Sequence, residues 1–167
     1  VRVGLFLAFA AAFAVKVPLP PLHGWQARVY AEAPAAGAVL LAGVMAKIGI
    51  YGFLRIVLPL FPLESAQYAP WFIALGLVAV IAGALMAMVQ VDAKRLVAYS
   101  SLSHLGLIMV GIFTFEPAAL TGAAVLMVAH GLSVAALFLL IGLVEDATGR
   151  RGVDAFGGLA SKMPAFA

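Results

Sequence analysis

The chain has 167 residues, 65% of them hydrophobic and 10% charged, with a net charge of +3 and a mean hydropathy of +1.15. A soluble domain carries roughly 25% charged and about 45–50% apolar residues, so the apolar excess excludes an ordinary globular core and points to an integral membrane protein. The absence of cysteine excludes disulfides, thiolate catalysis and Cys-ligated zinc or iron–sulfur clusters. The positive charge calls for no nucleic acid, because the basic residues sort by loop.

The chain opens on "VRVGLFLAFAAAFAVKVPLPPLHGW". A basic residue followed by an apolar run looks like a signal peptide, but no cleavage site precedes the Lys-Pro break, so that reading is set aside. A bilayer-crossing helix needs about 20 mainly apolar residues. Residues 3–15 and 17–27 are each too short, and together they form one span, 3–27, that is interrupted at Pro18, Pro20 and Pro21. Proline lacks the N–H of a helical turn and clashes with the turn before it, so it frees carbonyls just upstream. Four continuous spans follow, at 35–58, 70–91, 96–115 and 117–144. They are separated by the turn-forming stretches "YAEAP", "PLFPLESAQYAP", "DAKR" and "FEP", and "EDATGRRG" follows the last. Residues 145–167 read as a loop and the start of a next helix. The expectation is a single, all-α membrane unit over 1–167: a polytopic transmembrane helical bundle of about five spans, one discontinuous. No initiator Met opens it and "SKMPAFA" ends it beside another apolar stretch, so it is expected to be an internal piece of a longer polytopic protein.

Counting alternate loops, one side receives Arg28, Lys94, Arg95, Arg150, Arg151 and Lys162, and the other only Arg2 and Arg55. That bias assigns the first side to the cytoplasm.

Four spans carry a basic titratable group near their centres: Lys16, Lys47, His104 and His130. Such groups are costly in hydrocarbon and face a protein interior or a wet cavity. The plainer alternatives are a histidine that only ties helices together and a lysine that snorkels to the interface. Lys16 beside a helix break is better explained by a local cavity, and Lys47, too central in its span to snorkel easily, by a functional role. Gly43, Lys47 and Tyr51 fall on one helix face, as do Ser100, Ser101 and His104, and Ser133 lies one turn from His130. Hydroxyls there could bond an imidazole or hold water beside it. The pattern suits no metal, having no cysteine and few carboxylates, and no nucleophile–base set or phosphate loop is visible. What remains is protonation: the residues alone support a proton or cation conductor. A discontinuous helix at mid-depth is a recurring device for ion sites in transporters. Lys16 is therefore expected at mid-depth, facing neighbouring helices rather than lipid.

The ordered motifs "FAVKVPLPPLHGW", "AEAPAAGAVLLAGVMAKIGIYGFLR", "DAKRLVAYSSLSHLGLIMVGI", "AHGLSVAALFLLIG" and "GGLASKMP" resemble the antiporter-like membrane subunits of respiratory complex I, the proton-translocating NADH-quinone oxidoreductase. The resemblance covers nearly the whole chain. It implies a bundle of about fourteen helices built on inverted repeats, of which this stretch looks like helices seven to eleven. It implies proton transfer through Lys16 at the broken helix, Lys47 on the central connecting chain, and His104 and His130 on the same hydrated axis. It also implies a non-redox subunit of a bacterial inner-membrane translocase that holds no cofactor itself. NAD, flavin, iron–sulfur clusters and quinone would sit on the other membrane and peripheral subunits. Many relatives follow "HGW" with "LPDAH" where this chain reads "QARVY", so no role passes to Gln26–Tyr30, and Glu32 reads as interfacial. The glutamate that pairs with the broken-helix lysine in the family would lie upstream. Alternatives are the related subunit of a multi-subunit sodium/proton antiporter or membrane-bound hydrogenase, and a purely structural scaffold.

Overall fold

A computed structural model describes residues 1–157. Lys162 and most of "GGLASKMP" lie outside the described residues. The helices in chain order are α1 Arg2–Lys16, α2 Gln26–Glu32, α3 Ala35–Leu60, α4 Pro62–Met88, α5 Ala93–Phe113 and α6 Pro117–Thr148. A short 3₁₀ turn, Val153–Phe156, follows. Helices α3 to α6 are each long and apolar enough to cross a membrane. At 1.5 Å per residue the shortest of them, α5, is about 31 Å long. The fold is all-α, as expected, and the discontinuous element is α1, a run of turns over 17–25, and α2.

The packing follows small residues. Where α4 meets α5, a Cβ on Gly106 would come within 2.6 Å of the Gly76 carbonyl oxygen, and one on Gly76 within 2.9 Å of that of Gly106. Only paired glycines let these backbones approach so closely, the usual basis of helix association in lipid. Two buried clusters result. One gathers aromatic rings at the end of the bundle that holds Arg2, with Phe72 stacked on Phe113 at 4.3 Å and Phe6 on Tyr68 at 5.4 Å. The other, towards the opposite end, packs Tyr30, Ala38, Ala42, Ala98, Val134 and Phe138.

The helix ends differ from the sequence reading where polar residues prolong a helix. "PLFPLESAQYAP" reads as a loop, yet α4 begins at Pro62 and runs through Pro70. Pro62 occupies the first turn, where a missing N–H costs nothing, and Glu64 lies there too, buried, with Arg2 at 3.3 Å. The Arg2 guanidinium also donates to the Leu60 carbonyl. Helix α5 starts at Ala93 because the Asp92 carboxylate caps it, accepting from the N–H groups of Lys94 and Arg95. Helix α6 extends past Val144 to Thr148, and this places Glu145 against Lys94.

Opposite ends of the bundle carry different charges. Arg2 and Glu64 meet at one end. At the other, Lys94 pairs with Glu145 at 2.6 Å, and Arg151 with Asp92 at 2.9 Å and Glu32 at 3.4 Å. Lys94, read from sequence as a loop charge, is only 4% exposed; a buried ammonium needs that carboxylate.

Candidate functional site

Helix α3 is not a regular α-helix. Residues Leu41–Met45 and Phe53–Val57 form wider, π-type turns, and Lys47 stands just after the first. In a regular helix the Ala46 N–H would bond to the Ala42 carbonyl. Here it reaches the Leu41 carbonyl instead, and the Lys47 ammonium donates to the Ala42 oxygen at 2.6 Å. The widened turn thus supplies a carbonyl for a cation in the middle of a membrane helix, and such turns occur frequently at functional sites. Lys47 is half-buried, and its stem passes over α6 at Gly131, where a Cβ would stand 3.4 Å from Lys47 Cε and 3.2 Å from the Gly43 oxygen. Tyr51 is exposed and does not join Lys47 on a polar face.

The next residue of α6 is His130, 7% exposed, with Nδ1 buried and unpartnered among the described residues. Its ring stacks on His104 of α5, centroids 5.1 Å apart and planes 20° from parallel. His104 Nδ1 lies 2.8 Å from the Ser100 carbonyl oxygen. A carbonyl only accepts, so that bond puts the proton on Nδ1 and leaves Nε2 as the basic nitrogen. The serine hydroxyls do not bond the imidazole: Ser100 and Ser133 turn back to the carbonyls of Val97 and Ala129, as helical serines do. They instead help line a cavity of about 170 Å³ with Ser101, His104 and His130, polar and roomy enough to hold water. On the other side, Lys47, Gly43 and Gly131 line an open groove of about 340 Å³. Lys47, His130 and His104 therefore form one seam across α3, α6 and α5, each within a turn of its helix's midpoint.

Lys16 is not part of that seam. It ends α1, exposed, with no hydrogen-bond or ionic partner among the described residues, although its Cβ borders α3. The packed stripe of α1 is Phe6, Ala10 and Ala14. Two residues further on, a helix has turned by about 200°, away from that stripe. Helix α1 crosses α3 at Gly49, where a Cβ would meet the Lys16 Cβ at 3.0 Å. The same two-residue offset places Lys47 on the opposite face of α3.

The break itself works as proline chemistry demands. Pro18 has no N–H, so Leu19 N–H bonds to the Ala14 carbonyl and Val15 is left without a backbone donor; the Trp25 indole N–H takes it at 3.3 Å. Pro20 and Pro21 lie in the turns that follow. Trp25 and Tyr30 were not legible as site residues. Tyr30 is fully buried and its hydroxyl donates to the Leu41 carbonyl at 3.2 Å. Trp25 belongs to "HGW" and Tyr30 to "QARVY", and their bonds to the backbone of other segments are set by tertiary packing, which left no local signal.

A family profile described as "NADH:quinone oxidoreductase/Mrp antiporter, TM" matches residues 1–167. NADH-quinone oxidoreductase subunit M of Pseudomonas aeruginosa is 49% identical over 160 residues, 96% of this chain and 31% of that protein. Subunit M of Escherichia coli K12 is 48% identical over 159 residues, 95% of this chain and 31% of that one. The chain thus spans about a third of the length of the curated relatives it matches. Among solved structures, respiratory complex I from Thermus thermophilus with bound NADH superposes with a TM-score of 0.90 at 35% identity, covering 96% of this chain and 34% of that one. The Mrp complex from Dietzia sp. gives 0.88 at 30% identity, covering 94% and 29%.

Proposed function

The chain belongs to the NADH:quinone oxidoreductase/Mrp antiporter transmembrane family, and on that premise we propose that it is part of a proton-translocating membrane subunit of a bacterial NADH-quinone oxidoreductase. The observation that carries the reading is the seam: a mid-helix ammonium on a carbonyl freed by a widened turn, next to two stacked imidazoles beside a polar cavity. Intramembrane ionisable residues that face one another mark proton relays.

Lys47 holds a proton against the Ala42 oxygen and releases it towards α6. His130, whose Nδ1 is unpartnered among the described residues, receives it through water. Stacked rings offer no N–H to each other's nitrogens, so water in the polar cavity carries it on to His104, whose Nε2 is the acceptor when Nδ1 is committed to Ser100. Two imidazolium rings at 5.1 Å repel one another, so the pair carries one proton at a time. That exclusion favours a forward step over accumulation. Lys16 lies on the far side of α3 and would exchange protons with a group outside this chain. The driving force would come from quinone reduction elsewhere in the complex, with NAD, flavin, iron–sulfur clusters and quinone on other subunits. The end of the bundle bearing Arg28, Lys94, Arg95, Arg150 and Arg151 would face the cytoplasm.

The superposition on the Mrp complex favours a second reading, a subunit of a multi-subunit cation/proton antiporter. One experiment separates the possibilities. With Lys47→Ala in the full-length subunit, NADH-driven proton pumping by the assembled, reconstituted complex is expected to fall at least about tenfold. Normal pumping at a normal level of assembly would leave only a scaffold role, and no NADH-driven pumping in the unaltered complex would favour the antiporter.

A further inference from the structure

Each of the two lysine sites contains an irregular turn, and a side chain of one short segment is bonded to the backbone at each. Trp25, which precedes α2, donates its indole N–H to the Val15 carbonyl, adjacent to Lys16. Tyr30, one turn into α2, donates its hydroxyl to the Leu41 carbonyl, within the widened turn that holds Lys47. Their rings meet edge to face at 6.3 Å, so the pair is one packed unit rather than two unrelated contacts. Helix α2 is also held at its far end. Arg151 donates to the Ala31 carbonyl at 3.1 Å and Lys94 to that of Ala33 at 3.4 Å.

We infer that Trp25 and Tyr30 form a link between the helix break beside Lys16 and the widened turn beneath Lys47, and that Tyr30 is the positioning residue for the Lys47 ammonium. The Leu41 carbonyl accepts from both Ala46 N–H and the Tyr30 hydroxyl, and this second donor favours the widened register. Without it, the Ala46 N–H is freer to return to its ordinary acceptor, the Ala42 oxygen. That is the atom the Lys47 ammonium uses. The tyrosine hydroxyl therefore keeps a carbonyl available to a lysine it does not touch. Through Trp25, a movement of the break is passed to the same turn, so the two lysines, on opposite faces of α3, sense one another without direct contact.

The inference rests on proton translocation through Lys47, and its test is built to fail separately from that reading. The variants Tyr30→Phe and Trp25→Phe keep an aromatic ring and remove only the donor. In the full-length subunit of the assembled complex, reconstituted in vesicles, protons pumped per electron are expected to fall about fivefold in Tyr30→Phe, the scale of one net hydrogen bond. The amount of assembled complex and the KM for quinone stay unchanged, which a loss of packing alone does not produce. The double variant is expected to lose no more than the worse single one, because residues of one link are not additive. An unchanged pumping ratio in Tyr30→Phe overturns the inference while Lys47→Ala still supports the proton path. Fully multiplicative losses in the double variant overturn the link. Pumping that survives Lys47→Ala removes the functional reading, and the inference with it.

Discussion

The Lys47 stem can pass α6 beside His130 because the residue at the crossing, Gly131, is a glycine. A side chain at Gly131 would contact both the Gly43 carbonyl and the Lys47 stem, so Gly131→Leu cannot be accommodated without moving α3 off α6 or turning the lysine aside. Misplacing a transfer group by about 1 Å can cost on the order of a hundredfold in rate; at least a tenfold loss of pumping per assembled complex is expected, with Gly131→Ala milder. Pumping by Gly131→Leu at the normal rate would mean that the crossing does not set the lysine's place. At this scale the sequence was informative about residue type and depth. A charge at the centre of an apolar run is expensive wherever it points, and so Lys47, His104 and His130 stood out. It was uninformative about direction. Tyr51 shares a helical face with Lys47 by spacing, yet its side chain is exposed and does not join the lysine.

Elements were legible in proportion to how much of their stability is burial. The apolar cores of α3 to α6 were read in place, because lipid requires continuous hydrogen-bonded helix. Their ends were not, because caps and ion pairs decide them: Pro62 and Glu64 extend α4 into a proline-rich stretch, and Asp92 starts α5. The widened turn at Leu41–Met45 was invisible for a deeper reason. Its carbonyls are taken by a donor from another helix, the Tyr30 hydroxyl, and by the Lys47 ammonium, neither of which is a local property of "LAGVM". The start of α5 gives a test at this scale. Asp92→Ala removes both the cap and the Arg151 pair. It is expected to cost about 1–2 kcal/mol, read as a lower midpoint of thermal unfolding in detergent; Asp92→Asn, which can still cap, is expected to recover most of it. Equal losses in the two variants would assign the effect to the ion pair instead.

Across the bundle, one end is tied by a network of ion pairs and the other by aromatic packing with the single pair Arg2–Glu64. The stacked rings of Phe72 and Phe113 and their neighbours lock α1, α3, α4 and α5 together near Arg2, while Lys94, Glu145, Arg151, Asp92 and Glu32 bring the ends of α2, α5 and α6 into register. That charged end holds the carbonyls that terminate α2, so the position of Tyr30 depends on it. Breaking the buried pair from one side is therefore worse than removing it altogether. Glu145→Ala leaves the Lys94 ammonium, with a side chain only 5% exposed, without its carboxylate. The expected destabilisation is about 3 kcal/mol, the low end for a broken buried pair, because Glu145 itself is partly solvated. The double variant Lys94→Met with Glu145→Leu replaces the pair by apolar volume and is expected to return to within about 1 kcal/mol of the parent. Thermal unfolding of the three proteins in detergent separates the terms. A double variant as unstable as Glu145→Ala would show that the charges at this end act through the α2 carbonyls rather than through each other, in which case both variants should also lower the pumping ratio as Tyr30→Phe does.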